Sequence, residues 1–404
     1  MGNNVGANIR RERERQGWSQ ARLAREVCRA AGVIGEPVGR QEVSRWETGK
    51  RTPREWLPSL AAALGVPVAT LREPQEPAQP PLPTLADFLP ESDPLSPLQS
   101  RTGRRIGMST VEDLQQRVHG LRLADDVLAG GDLIRPALRE LRSAVKLYRE
   151  GTHTSEVARQ LLRQIGELAQ IAGWITSDAG QYGEAEQIYR LGISAARQAE
   201  DHTLAGNIAG SLAYQYSNIG RETEGLTLAQ AALHDAGNDA PPKARALYLD
   251  RVAWAYTKLG KTHARPAMRA LGEASEALSE DSEGTESPAY LYWVDHGELK
   301  VMDSRVYTEL QRPLRAVPIL REVLSEYDAT HTREMALYLS WLAVALADGG
   351  EPEESAAVAE RVITLSSDIQ SERTAARVRV ILGKLREFAD VPEVAALLAE
   401  HNAG

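Results

Sequence analysis

Gly180-Gln181-Tyr182-Gly183-Glu184-Ala185 decides the fold. It follows one apolar-periodic segment and opens another. Its shape returns as Gly220-Arg221-Glu222-Thr223-Glu224-Gly225 and Gly350-Glu351-Pro352-Glu353-Glu354-Ser355. Gly180, Gly220 and Gly260 stand 40 residues apart, twice over, and Gln311-Arg312-Pro313-Leu314-Arg315-Ala316 fits the same slot without the glycine. A glycine between two helical patterns reads as a helix C-cap followed by a tight turn. Helix pairs repeated at this period predict an α-solenoid. Each pair cannot bury its apolar face alone, and stacking on its neighbours supplies the core.

Composition points the same way. The chain has 404 residues, 42% apolar and 25% charged, which is ordinary globular material. Alanine, leucine, glutamate and arginine dominate and favour helix. No run of 18 uncharged apolar residues predicts a membrane span, and the first residues lack the apolar core of a secretory signal. The single cysteine, Cys28, excludes an intrachain disulfide framework and fits a reducing cytoplasm; it reads as an ordinary buried or half-buried thiol.

Charge divides the chain unevenly. Residues 1–73 carry 13 Lys/Arg against 8 Asp/Glu, and the remainder carries 34 against 48. A basic head on an acidic body suggests that the head meets a polyanion. Between them, residues 74–98 hold eight prolines, which disfavour helix and predict an extended linker. The expected architecture is all-α: a five-helix head over 1–73, a Pro-rich linker over 74–108, and a solenoid over 109–404.

The repeated units resemble tetratricopeptide repeats, with small residues where helices cross and Gly-x-Tyr-x-x-Ala opening the second helix. The resemblance is good at 165–198 and fair at 205–235, 245–275, 297–327 and 335–365. Residues 279–292 read as an inserted loop, 111–165 as one or two degenerate leading pairs, and 371–401 as a solvating cap.

In the head, a basic helix over Ile9–Gln16 ends at Gly17, and Ser19 N-caps a second helix beginning Gln20-Ala21-Arg22-Leu23-Ala24. Gln41-Glu42-Val43-Ser44-Arg45-Trp46-Glu47 forms a short third helix, and Thr48-Gly49-Lys50-Arg51-Thr52-Pro53 leaves it in a basic turn. Leu57–Leu64 and Val66–Leu71 complete the bundle. This ensemble resembles the phage-repressor/Cro-like helix-turn-helix family, also called the xenobiotic-response-element family. Its signature is Ser-Gln-x-x-Leu-Ala followed by Val/Ile-Ser-x-Trp-Glu-x-Gly-Lys. One departure stands out: 18 residues separate Ala24 from Val43, more than is usual in the family. Cys28–Val38 therefore either lengthens helix 2 or forms a larger turn.

The resemblance implies double-stranded DNA as a partner. Arg40, Gln41, Ser44 and Arg45 lie at the exposed start of a helix short enough for a major groove. There arginine can pair with guanine and glutamine with adenine. Gln20 is placed to hydrogen-bond a phosphate, and Lys50, Arg51 and Arg54 to neutralise phosphates. Val43 and Trp46 should face the core. Family members pair the residue at Glu47 with that at Arg13. Glu42, near the reading face, is expected to stabilise the helix surface.

By analogy with the repeat family, the first helix of each pair lines a concave groove. Six residues before each anchor come Trp174, Tyr214, Trp254, Arg305 and Val344. The expected ligand row is Glu167, Gln170, Trp174, Asn207, Tyr214, Asn218, Asp250, Trp254, Lys258 and Arg305. Amides can clamp a peptide backbone and cations can hold a carboxylate. The aromatics are either groove-exposed or packed between repeats.

A helix-turn-helix fused to such an array is similar to the bacterial quorum-sensing peptide receptors, and closer still to a group of actinobacterial regulators. That resemblance implies a homodimeric, cytoplasmic, nucleoid-associated transcriptional regulator. Its repeats would sense a peptide or small molecule and alter operator binding. The competing readings are a DNA-tethered adaptor that recruits a protein through the repeats and, third, an enzyme or its regulatory subunit. No phosphate loop, dinucleotide fingerprint or nucleophile elbow occurs, and the eight histidines are scattered. Neither catalysis, a cofactor nor a metal is expected, and no membrane partner.

Overall fold

Helices account for every regular element among the described residues, apart from one isolated parallel bridge between Arg105 and Thr152. The computed structural model describes residues 4–33, 35, 37–72, 85, 104–127, 130–237, 239–282, 286–326, 332–367 and 371–401. The all-α class expected from the sequence is the class observed. Two compact units separate, Met1–Pro81 and Leu82–Gly404.

The first unit contains α1 (Asn4–Arg15), α2 (Gln20–Ala30), α3 (Arg40–Glu47), α4 (Leu57–Leu64) and α5 (Val68–Arg72). Ile9, Leu23, Val27, Val43, Leu60 and Leu71 fill its core with no exposed surface. Helix α1 begins earlier than the pattern predicted. Gly6 allows this, because a Cβ there would lie 2.2 Å from the carbonyl oxygen of Trp46. The long separation between Ala24 and Val43 is a larger turn, not a longer helix. Helix α2 stops at Ala30, and Gly32 and Gly35 take positive φ in the turn that follows. Buried Val38 pins that turn, its carbonyl accepting from the buried Cys28 thiol at 3.7 Å.

The second unit stacks helix pairs. The leading pair is α6 (Met108–Val127) with α7 (Gly130–Glu150). The five repeats follow as α8 (Ser155–Asp178) with α9 (Tyr182–Gln198), α10 (His202–Asn218) with α11 (Glu222–Ala236), α12 (Pro242–Lys258) with α13 (Ala264–Ser279), α14 (His296–Glu309) with α15 (Pro313–Glu326), and α16 (Thr332–Asp348) with α17 (Pro352–Ser366). Two helices, α18 (Glu372–Leu385) and α19 (Pro392–His401), end it.

Small residues let these helices cross closely. Ala205, Ala209, Ala229 and Ala232 are buried on α10 and α11. A Cβ on Gly225 would meet the Ser217 hydroxyl at 2.3 Å, so the crossing tolerates only glycine.

The Pro-rich stretch 74–98 lies outside the described residues apart from Leu85. That residue is buried in the repeat core and donates its backbone N–H to Asp235 Oδ2 at 2.8 Å. Residues 104–107 also pack on the repeats: Ile106 N–H donates to the Thr152 carbonyl at 2.8 Å and Thr152 N–H to that of Arg104 at 3.0 Å.

The turn glycines Gly180, Gly220, Gly260 and Gly350 all take positive φ. Gln311, in the same slot, holds φ +54° with a full side chain. Left-handed backbone costs an ordinary residue roughly 1–2 kcal/mol. Gln311→Gly should therefore stabilise the protein by about 0.5–1 kcal/mol, net of its own chain entropy. Urea unfolding measured beside the parent protein checks this.

Candidate functional site

Two sites emerge, one in each unit. In the first, α3 turns Val43 and Trp46 inward, leaving Arg40, Gln41 and Arg45 exposed and Ser44 half-buried. Its N-cap, Gly39, supplies no side-chain hydrogen bond, so the first backbone N–H groups of α3 face outward uncapped by a side chain. Lys50, Arg51 and Arg54 are exposed in and after the following turn. Ser19 caps α2 by accepting from the Arg22 N–H at 3.2 Å.

Two intramolecular contacts modify the expected roles. Arg13 grips Glu47 with Nε at 2.6 Å and a second nitrogen at 3.1 Å, and the same carboxylate accepts from the Gln20 side-chain amide at 2.8 Å. The Arg13–Glu47 pair implied by the resemblance is present, and Gln20 braces it instead of projecting free. The Glu47 bond raises the Arg13 pKa above its usual value. Glu42 does more than stabilise a helix surface: it pairs with Arg45 at 2.7 Å and Arg51 at 3.1 Å. Both guanidiniums are thus partly neutralised on the face that offers them.

In the second unit the repeat period brings the inner helices into register. Trp174, Tyr214 and Trp254 form a continuous stack, with centroids 5.9 and 6.0 Å apart, and Trp341 closes it edge-on at 5.7 Å. Guanidiniums interleave with the rings. Arg305 lies 5.3 Å from the Tyr214 ring, 4.7 Å from Trp254 and 5.6 Å from Trp341, and donates to the Tyr214 hydroxyl at 2.5 Å. Arg251 covers Tyr214 at 4.8 Å, Arg373 covers Trp174 at 5.2 Å, and Arg377 covers Trp341 at 3.5 Å. Burial raises the Tyr214 pKa, but Arg305, Arg373 and Arg251 overcome it and bring the phenol down to about 8.

A cavity of about 590 Å³ opens against this stack. Of the expected ligand row, Gln170, Trp174, Asn207 and Arg305 line it. Tyr214, Asp250 and Trp254 do not; Asp250 and Trp254 are buried and Tyr214 is half-buried. Trp254 is 3% exposed, so the packing alternative describes it: Arg305 and Trp341 cover its ring. Asp250 is buried beside Arg251 at 3.4 Å. Glu167 does not line the cavity but holds Arg122, which does, at 3.2 Å. Asn218 is exposed and donates to the carbonyl of Tyr214 at 2.7 Å. Lys258 pairs with Glu309 at 3.6 Å. Asn218 and Lys258 stand outside the cavity.

Other residues enter from segments read differently in the sequence. The loop before α14 brings Tyr290, Tyr292 and Trp293 to the cavity, and α6 brings Arg122 and Asp125. Residues 371–401 do more than solvate an end: α18 places Arg373 and Arg377 on the aromatic stack. Three aromatics within four residues in an insertion, and two arginines one helical turn apart, were the available signals. Glu298 lines the cavity and accepts from Tyr338; burial lifts its pKa to about 7. Burial, with Asp250 as a smaller cause, lifts Asp303 to about 7 as well.

Among the described residues, no helix is long and apolar enough to cross a membrane. A helix-turn-helix domain family matches residues 4–73. No curated protein matches the chain. A solved structure of Bacillus thuringiensis PlcR, in complex with the peptide PapR7 and DNA, is similar at 14% identity. The likeness covers 88% of this chain and 99% of that one, with a TM-score of 0.29.

Glu42→Ala should release Arg45 and Arg51 and tighten binding to random DNA by about 3–10-fold, with a steeper salt dependence. Fluorescence anisotropy across a salt series measures both. Glu298 is half-buried and its pKa is raised above that of the unfolded chain, so its contribution to stability is greatest in acid. It is lost as pH rises from about 4.5 through about 7. Glu298→Gln should therefore stabilise the protein at pH 8 by roughly 1–2 kcal/mol and flatten the pH dependence of Tm over that window.

Proposed function

We propose, from the premise that residues 4–73 are a helix-turn-helix domain, that this protein is a sequence-specific DNA-binding transcriptional regulator. Its repeat domain senses a peptide or small molecule and alters operator binding. The head over 1–73 reads DNA, a linker within 74–108, of which Leu85 and residues 104–107 pack on the repeats, connects, and 109–404 senses. Arg40, Gln41, Ser44 and Arg45 read base edges, while Lys50, Arg51 and Arg54 meet phosphates. Gln20 contributes by orienting Glu47 and, through it, Arg13.

The observation that carries the sensing role is the cavity of about 590 Å³ lined by aromatics, amides, guanidiniums and carboxylates. Its size and mixed lining fit a small ligand with a few fixed polar groups. A protein-recruiting adaptor calls for a flatter, mainly charged face. The regulator acts as a homodimer in the cytoplasm, bound to the nucleoid. Ligand binding shifts the population of dimers whose two heads match the half-site spacing.

The test is DNA binding by the full-length protein to its own upstream region, with and without the small-molecule fraction of a cell extract. Arg45→Ala should cost about 1–3 kcal/mol on the operator and relax specificity at one position. Equal loss on random and specific DNA would remove its base-reading role. Asn207→Ala should weaken the response to the fraction about tenfold or more, matching one lost polar anchor. Tight operator binding indifferent to the fraction in the parent protein would favour the adaptor.

A further inference from the structure

Two of the guanidiniums facing the cavity, those of Arg305 and Arg373, have no ion-pair partner among the described residues. Arg122 has Glu167 and Arg251 has Asp250. Arg305 is 6% exposed; it donates to Tyr214, while its buried Nε reaches no acceptor. Among the described residues, Arg373 meets only the rings of Trp174 and Tyr214. Arg377, behind them, donates to Ser340 and stacks on Trp341. Among the described residues, no carboxylate lies within ion-pair distance of Arg305, Arg373 or Arg377. Several acids of the cavity are engaged elsewhere: Glu298 accepts from Tyr338, Glu322 pairs with Lys300, and Asp295 caps α14.

We propose that Arg251, Arg305 and Arg373 form an anion-binding site that takes a carboxylate or phosphate group of the molecule occupying the cavity. The proposal rests on reading the repeat domain as a sensor. Ring faces attract cations, but they replace lost hydration only in part, so clustered, partly buried guanidiniums repel one another until an anion arrives. Arg305 and Arg373 reach one cavity from two separate elements, α14 and α18. An anion between them would receive charge-assisted bonds from both. Burial and the neighbouring Arg305 hold Arg377 down to about 10 and burial lowers Arg251, while burial of Arg305 is outweighed by Tyr214, Asp250 and Glu298, which keep it above its usual value. Such an anion would also tie α18 to the helices that carry Trp174 and Tyr214, linking occupancy to the geometry of the repeats.

Thermal unfolding and calorimetric titration of the full-length protein test this, with inorganic phosphate and succinate as separate probes against chloride at matched ionic strength. At least one probe should raise Tm saturably; which one does so distinguishes phosphate from carboxylate chemistry. Arg373→Gln should weaken that probe by about tenfold or more. It should also melt higher than the parent in chloride alone, since it removes an unneutralised charge. Arg305→Gln should lose the anion response as well, with helicity by circular dichroism as its folding check. No rise with either probe, or an undiminished rise in Arg373→Gln, would overturn the proposal, as would a lower chloride Tm for Arg373→Gln. DNA binding on the same samples separates the two readings. Anion binding with no effect on DNA affinity keeps the site and removes the sensor. An extract effect that persists in Arg373→Gln, without any anion response, keeps the sensor and removes the site.

Discussion

Arg305 occupies the position in α14 where the three preceding repeats place an aromatic ring, and the inner face of the repeat domain depends on that exchange. Its guanidinium lies within 6 Å of the ring centroids of Tyr214, Trp254 and Trp341, contributed by α10, α12 and α16. A fourth ring there would extend the stack. A cation instead fastens three repeats with one side chain and brings charge into the aromatic stack. Arg251, Arg373 and Arg377 repeat the arrangement on neighbouring rings. Cation–π contacts hold such a wall without the rigidity of ion pairs. The contact from α18 is the one with few competing bonds, because Arg373 has no other partner among the described residues.

The head solves a related problem differently. Its buried arginine, Arg13, is neutralised in full: Glu47 accepts from it twice, and Gln20 orders that carboxylate. The pair therefore fixes α1 against α3. On the outer face, Glu42 holds Arg45 and Arg51 loosely, at exposures where an ion pair contributes little to stability. A bond of that kind is easily exchanged for a phosphate or a base edge. Charge is locked where the helix must be positioned and left exchangeable on its outer face.

Much of this was legible in the sequence because a fixed period carries residues to one face. The 40-residue spacing of Gly180, Gly220 and Gly260 places Trp174, Tyr214 and Trp254 at one height, and they do stack. Ser19 as a cap, Val43 and Trp46 as core, and the Arg13–Glu47 pair likewise follow from local pattern or motif. What periodicity could not supply was depth. Trp174 and Trp254 hold equivalent positions, yet one lines the cavity and the other is sealed by Arg305 and Trp341. Depth depends on which later elements fold over the stack. Trp254 is covered by side chains of later repeats whose residue types break the period, and the insertion with Tyr290 and the helix with Arg373 lie outside the repeat altogether.

That distinction bears on where function resides. The repeated positions build a scaffold whose stacking would be much the same for any occupant. The non-repeated elements supply Tyr290 from the insertion, Arg122 from the leading helix and Arg373 from the end, and all three converge on one cavity. Arg122 faces the Tyr290 ring at 5.9 Å, so the beginning of the array and its insertion meet across the opening. A ligand bridging these parts would contact segments more than 200 residues apart in sequence. Solenoid repeats otherwise touch only their neighbours, so a change at one end propagates weakly to the other. Here Arg373 on Trp174 and Arg122 on Tyr290 join elements far apart in the array, long-range contacts that a stack of nearest-neighbour pairs lacks.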